Sequence, residues 1–203
     1  MILKMMQIAG FGCNCYIVGS EKTKEAMIID PGGEGPAILQ QVNELGLKVK
    51  LIVITHSHPD HIAATAEVKQ ATGAQVAMGP SAPGARFPGA GHAPTPDITL
   101  KEDDIIEIGE LKFKVLFTPG HHPGEICLVG HGIAIVGDVL FNGGIGRWDL
   151  DGDYDQLMTN IKTKLMTLPE NTLVLSGHGP TTTIGHERMT NPHITGEISP
   201  DDE

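Results

Sequence analysis

The run Thr55-His56-Ser57-His58-Pro59-Asp60-His61 places three imidazoles and one carboxylate within six residues. In an extended turn, His56 and His58 can point one way and Asp60 and His61 another. Imidazole nitrogen and carboxylate oxygen suit Zn²⁺, Fe or Mn²⁺, and an Asp needs no proton removed to bind at neutral pH. A polar helix N-terminus capped by Asp60 or Ser57 accounts for short polar residues but not for three imidazoles. Three further candidates stand apart, in Gly120-His121, Gly137-Asp138 and Gly177-His178-Gly179. Taken singly, each reads as a turn or surface residue. Taken together with the first run they make seven ligand-type side chains, enough for two metal sites of three protein ligands each with one carboxylate shared. A metal pair roughly 3.5 Å apart can hold a bridging hydroxide and polarise a carbonyl.

These clusters all follow apolar or β-rich runs. Leu51 to Ile54, short and continuously apolar, reads as a strand buried on both faces and leads into the histidine run. Leu111 to Phe117 leads to His121, Ile133 to Val136 to Asp138, and Leu173 to Leu175 to His178. Sites in open α/β sheets gather beyond the carboxyl ends of strands, so four strand ends converging on one site is the expectation. Met1 to Met6, Cys15 to Val18 and Ala26 to Ile29 read as further strands. Ile105 to Ile108 pairs with Leu111 to Phe117 as a hairpin, and Ile126 to Val129 with Ile133 to Val136 through His131-Gly132. Helices are predicted over Pro36 to Leu45, over Asp60 to Thr72 ending at Gly73, and along the stripe Leu157, Ile161, Leu165, Leu168 ending at Pro169. Between Gly79 and Pro96 half of the residues are Gly or Pro, which predicts a surface loop. That loop and the one around Arg147 and Trp148 are read as the substrate entrance.

The 203 residues, 40% hydrophobic and 19% charged, fit one soluble β-rich α/β domain, taken as 1–195 with an acidic tail at 196–203. Fourteen Lys and Arg against 25 Asp and Glu give a net charge of −11, a field that repels phosphate backbones and anionic lipid. Neither nucleic acid nor membrane is expected as a partner. No apolar stretch approaches the ~20 residues of a spanning helix, and Met1 to Met6 lacks the basic cluster of a signal peptide. Three Cys argue against a disulfide framework and for a reducing compartment, hence the cytoplasm. Oligomeric state is not legible.

The histidine run with His121, Asp138 and His178 in order resembles the metallo-β-lactamase superfamily, over a span from Asn14-Cys15-Tyr16 to Asn191-Pro192. Thr118-Pro119-Gly120-His121-His122-Pro123-Gly124, Gly137-Asp138-Val139-Leu140-Phe141 and Gly143-Gly144-Ile145-Gly146-Arg147 are similar to the glyoxalase II branch. The tail from Gly177 to Gly185, with Glu187-Arg188 and Asn191-Pro192, is similar to its short bacterial hydrolases. The resemblance implies an α/β fold, an αββα sandwich with the site along one edge of its two sheets. It implies His56, His58 and His121 on one metal, Asp60, His61 and His178 on a second, and Asp138 bridging, with Asp60 and Asp138 the catalytic carboxylates. Two divalent ions follow, zinc first, with iron or manganese as alternatives. The implied reaction is hydrolysis of a small acyl thioester, S-lactoylglutathione giving D-lactate and glutathione. Arg147 matches a basic glutathione contact, although the Tyr expected two residues later is Asp149 here.

Two rival readings are a persulfide dioxygenase with a single Fe(II), and a metal-binding scaffold without catalysis. Cys13 and Cys15 are read as structural, on the argument that alternate strand residues share a face. Cys127 is read as core. His122 either supports the ligand set from outside or, more simply, faces solvent beside a Pro turn. Trp148 either walls the substrate groove or packs its own loop. His92, His131, His186 and His193 match no ligand position.

Overall fold

A computed structural model describes residues 1–10, 12–80 and 95–199. The first half of the chain builds a six-stranded sheet in sequence order: β1 (Ile2–Gln7), β2 (Asn14–Gly19), β3 (Glu25–Ile29), β4 (Lys48–Ile54), β5 (Gln75–Met78) and β6 (Ile98–Thr99). Helix α1 (Gly35–Glu44) crosses from β3 to β4, and α2 (Pro59–Ile62) and α3 (Thr65–Thr72) lie between β4 and β5. The first three strands pair antiparallel, and β3 to β6 pair parallel.

The second half builds another six-stranded sheet from β7 (Ile105–Ile108), β8 (Leu111–Phe117), β9 (Ile126–Gly130), β10 (Ile133–Gly137), β13 (Leu173–Ser176) and β14 (Thr182–Thr183). A small separate hairpin, β11 (Leu140–Phe141) with β12 (Gly144–Ile145), follows β10. Helix α4 (Tyr154–Asn160) continues as one π-helical stretch, Ile161–Leu165, before β13, and α5 (Ile184–Thr190) and α6 (Pro192–Thr195) close the described chain.

Three buried clusters make the layers. Tyr16, Met27, Ile29 and Val53 of the first sheet meet Phe113, Val115, Leu128 and Ile135 of the second in a core between the sheets. The outer face of the first sheet packs Ile17, Ile28, Ile52 and Val76 against Ile38 and Val42 of α1 and Val68 of α3. The outer face of the second packs Ala134, Val136 and Val174 against Leu157, Ile161 and Leu165. Central strands buried on both faces read as continuous apolar runs, which is why β4 and β10 were recognisable from sequence. The architecture is the αββα sandwich.

Several boundaries differ from the sequence reading. The helix predicted over Asp60 to Thr72 is two helices, because the Ala64 amide donates to Pro31 O at 2.9 Å instead of four residues back to Asp60. Gly32 packs on the Asp60 carbonyl, where a Cβ would collide. The predicted hairpin turn at His131-Gly132 is present, both residues at positive φ as a two-residue turn between twisted strands requires. Strands β5, β6, β11, β12 and β14 and helices α5 and α6 were not anticipated. Most of the predicted Gly79 to Pro96 loop, with His92, lies outside the described residues, as do residues 200–203. Among the described residues no helix is long and apolar enough to cross a membrane.

Candidate metal centre

Parallel pairing of β3 with β4 and of β10 with β13 brings four carboxyl ends to one rim. Asp30 follows β3, the run Thr55 to His61 follows β4, Asp138 follows β10, and the turn Gly177-His178 follows β13; His121 arrives on the loop beyond β8. The two sheets are stitched at this rim. Ile126 N–H donates to Thr55 O at 3.0 Å, Asn14 N–H to Gly177 O at 2.7 Å, and the Tyr16 hydroxyl to Ser176 O at 2.6 Å. Asn14 Nδ2 also donates to Ser176 O and Gly179 O. The Asn14-Cys15-Tyr16 motif is thus a clip holding the His178 turn against the first sheet.

Donor atoms of His56, His58, His121 and Asp138 converge within 4.8 Å of one another. His58 Nδ1 lies 3.0 Å from both His56 Nε2 and His121 Nε2, and Asp138 Oδ2 lies 4.0 and 3.8 Å from those two nitrogens. On the other side of Asp138 sit His61 Nε2, 3.5 Å from Oδ1, and His178 Nε2, 3.6 Å from Oδ2. Asp60 Oδ2 is 3.0 Å from His178 Nε2 and 3.8 Å from His61 Nε2. Cys13 Sγ falls within 4.8 Å of the His61 and His178 donors. Two donor groups therefore adjoin, with Asp138 between them.

Outer contacts fix which nitrogen of each ring faces inward. His121 Nδ1 donates to Arg147 O at 2.6 Å and His61 Nδ1 to Asp30 Oδ2 at 2.9 Å, so both rings turn an Nε2 lone pair to the centre. His56 Nδ1 faces Thr55 Oγ1 at 3.2 Å and Glu125 Oε1 at 3.4 Å. Asp30, 2% exposed, also accepts from Thr55 N–H (2.8 Å) and Thr55 Oγ1 (2.7 Å). Glu125 Oε1 accepts from the Asp138 amide at 2.9 Å.

Burial, reinforced by the neighbouring imidazoles, holds His56 well below its ordinary range and pushes His58 down to about 3. Burial lowers His121 as well, against the opposing pull of Asp138. For His61, burial opposes protonation, but the Asp138 and Asp30 carboxylates outweigh it and raise its pKa. Burial likewise works against ionising Asp60, yet the His178 hydrogen bond and the His61 charge bring it down to about 2. Glu125 is pushed well above the carboxylate range by burial and by Asp138. Neutral nitrogens of His56, His58 and His121 converging beside ionised carboxylates, with His61 and His178 drawing charge from the same carboxylates, are an environment in which a divalent cation can replace protons. His61 Nε2 and Asp138 Oδ1, both buried, make no hydrogen bond and face each other across 3.5 Å, a spacing that fits two ligands of one cation.

All seven predicted ligands meet here. Arg147 contributes its carbonyl to His121, while its guanidinium, 69% exposed, makes a two-pronged ion pair with Asp149 at 2.7 and 3.0 Å. Trp148 packs edge-on against Tyr154 with ring centroids 4.8 Å apart. His122 does not face solvent: it is fully buried, with Nε2 3.0 Å from Ser57 Oγ and Nδ1 accepting from Gly124 N–H. Asp30, Glu125 and Cys13 were not anticipated at the site. Asp30 was legible only as the end of a strand before Pro31-Gly32-Gly33, and its partners lie 25 and 31 residues away. The Glu187 and Asn191 of the tail motif are structural. Glu187, fully buried, accepts from Thr182 Oγ1, Gly143 N–H and Asn191 Nδ2, hooking α5 onto the β11–β12 turn.

The sequence profile of the metallo-beta-lactamase superfamily matches residues 8–178. The hydroxyacylglutathione hydrolase GloC of Haemophilus influenzae is 35% identical over 97% of this chain and its own entire length. Among solved structures, ETHE1 from Myxococcus xanthus is similar at a TM-score of 0.88 and 30% identity, covering all of this chain and 88% of its own. TTHA1623, solved in a di-iron-bound form, is similar at 0.81 and 30%, covering 94% and 99%. With the profile spanning most of its length and every strand-end donor in place, the chain belongs to the metallo-beta-lactamase superfamily.

Proposed function

We propose that the chain hydrolyses small acyl thioesters, with S-lactoylglutathione as the reference substrate, at a centre of two divalent ions. The observation that carries this reading is the pair of adjoining donor groups with Asp138 between them. His56, His58 and His121 would hold one ion and Asp60, His61 and His178 the other, with Asp138 within reach of both. Zinc is the first choice, with iron or manganese as alternatives. Bound there, the ions supply Lewis-acid activation of water and of the thioester carbonyl.

The chain's own part is positioning. The Arg147 carbonyl and the Asp30 carboxylate orient His121 and His61. Asp60 and His178, with side chains 22% and 29% exposed, form the open side by which substrate enters, whereas His56 and His61 close the back. Asp60 stays ionised at neutral pH. Water adds to the carbonyl carbon and gives up its proton to solvent, the C–S bond breaks, and the departing thiolate leaves without a strong general acid before taking a proton from solvent. The GloC relative, whose name is that of a hydroxyacylglutathione hydrolase, supports this choice of substrate.

Arg147 is the proposed contact for a substrate carboxylate. Because its guanidinium is exposed and already shared with Asp149, it adds little, so recognition of the glutathione half is weak and KM high. Steady-state kinetics on S-lactoylglutathione and on a thioester with a truncated thiol test the reading. Hydrolysis of both supports it. Hydrolysis of neither, with O₂ uptake on glutathione persulfide, would sink it in favour of a dioxygenase.

A further inference from the structure

We infer that Cys13 is a ligand of the second metal subsite, adding a thiolate to His61 and His178 in a set that family resemblance makes of nitrogen and oxygen alone. The inference rests on the two-metal reading above and goes beyond it. Cys13 immediately precedes β2, and its backbone is fixed on both sides. Its carbonyl accepts from Ile8 N–H at 2.7 Å, and it forms an isolated antiparallel bridge with His178 itself. That bridge carries the sulfur to the His178 side of the centre, where Cys13 is 1% exposed and its Sγ lies within 4.8 Å of the His61 and His178 donor atoms.

A buried cysteine alone is ordinary packing. Here a second feature points to a ligand: His61 Nε2, in a fully buried ring, has no hydrogen-bond partner and faces the same point. Its other nitrogen is committed to Asp30, so Nε2 is the atom of this ring that a cation can take up in place of a proton. Asp138 Oδ1 is the second buried atom without a partner, 3.5 Å from that nitrogen. Cys13 is also free of disulfide, as are Cys15 and Cys127. Cys15 belongs to the core between the first sheet and its helices, and Cys127 Sγ contacts Thr118 Oγ1 and Val136 O. Cys13 is thus the one cysteine of the three at the centre. On binding, the thiol proton passes to solvent and the sulfur lone pair to the cation. A thiolate makes this subsite softer than its neighbour, favouring Zn²⁺ or Co²⁺ over Mn²⁺.

The test uses the full chain loaded with two equivalents of Co²⁺ and, separately, of Zn²⁺. The expected cobalt spectrum has a near-ultraviolet thiolate-to-metal charge-transfer band that appears with the subsite-2 ion, survives in Cys15→Ser and Cys127→Ser, and is lost in Cys13→Ser. The second Zn²⁺ should be held about tenfold or more weakly in Cys13→Ser when titrated against a chelator. Should Cys13→Ser fail to fold, X-ray absorption on the wild-type zinc protein decides, a sulfur shell at about 2.3 Å being expected. Two bound ions with no band and no sulfur shell would overturn this inference and leave the two-metal reading standing. A chain that binds fewer than two ions, without sulfur coordination, would overturn both.

Discussion

Replacing Asp30 by Asn keeps the size of the side chain and changes what it offers to His61. The carboxylate accepts three hydrogen bonds, from Thr55 N–H, Thr55 Oγ1 and His61 Nδ1, at 2.8, 2.7 and 2.9 Å. An Asn oxygen placed toward Thr55 N–H preserves the first. Its NH₂ then faces Thr55 Oγ1 and His61 Nδ1, both of which were donors. The threonine hydroxyl can rotate, but the imidazole has only two choices. It keeps its proton on Nδ1 against another donor, or it moves the proton to Nε2 and blocks the lone pair that would bind metal. Losing a hydrogen bond to a charged group costs about 1.5–3 kcal/mol, which is a ten- to hundredfold loss in affinity for the second ion. None of His58, His121 and Asp138 hydrogen-bonds to Asp30, and His56 reaches it only through the Thr55 hydroxyl while also facing Glu125, so the first ion should be affected less than the second. The assay is competition for Zn²⁺ with a chromophoric chelator, titrated over two equivalents. Asp30→Ala serves as the contrast: it leaves three buried donors unpaired and should cost the fold itself several kcal/mol. Asp30→Asn binding both ions with wild-type affinity would refute the claim that Asp30 sets the tautomer of His61.

Other perturbations separate site from scaffold. Gly177→Ala should fold but fail to hold two metals, because its Cβ would strike Asp138 Oδ1 and come within 2.7 Å of His61 Cε1; elemental analysis beside a thermal melt checks this. Glu187→Ala should lower stability by about 2–4 kcal/mol, read from urea midpoints, by leaving donors from Thr182, Gly143 and Asn191 unpaired, with metal content unchanged. Arg147→Ala should raise KM for S-lactoylglutathione several-fold with kcat nearly constant, as when binding is lost equally from ground and transition states.

What could be read from the sequence was whatever local pattern controls. Continuous apolar runs marked β4 and β10, and breaker pairs marked the β7–β8 and β9–β10 turns. The seven ligand-type side chains stood out because imidazoles and carboxylates at strand ends have few other uses. What escaped depends on contacts between distant segments. The break between α2 and α3 is imposed by Pro31, and the burial of His122 by Ser57 and the turn at Gly124. Asp30 and Glu125 act on rings that neither adjoins in sequence. Cys13 and Cys15 were both read as structural; Cys15 packs in the core between the first sheet and its helices, whereas Cys13, one residue before β2, reaches the His61 and His178 donors through a bridge to His178 that no local pattern announces. The tail motif at Glu187 and Asn191 was visible, and its task of hooking α5 onto the β11–β12 turn was not.

The most direct test is the initial rate of S-lactoylglutathione hydrolysis as metal-free protein is titrated with Zn²⁺. The rate should climb until two ions are bound per chain and then level, and Asp138→Ala should stay near zero throughout. No hydrolysis at any loading, or a rate that is complete at one ion per chain, would contradict a two-metal thioester hydrolase.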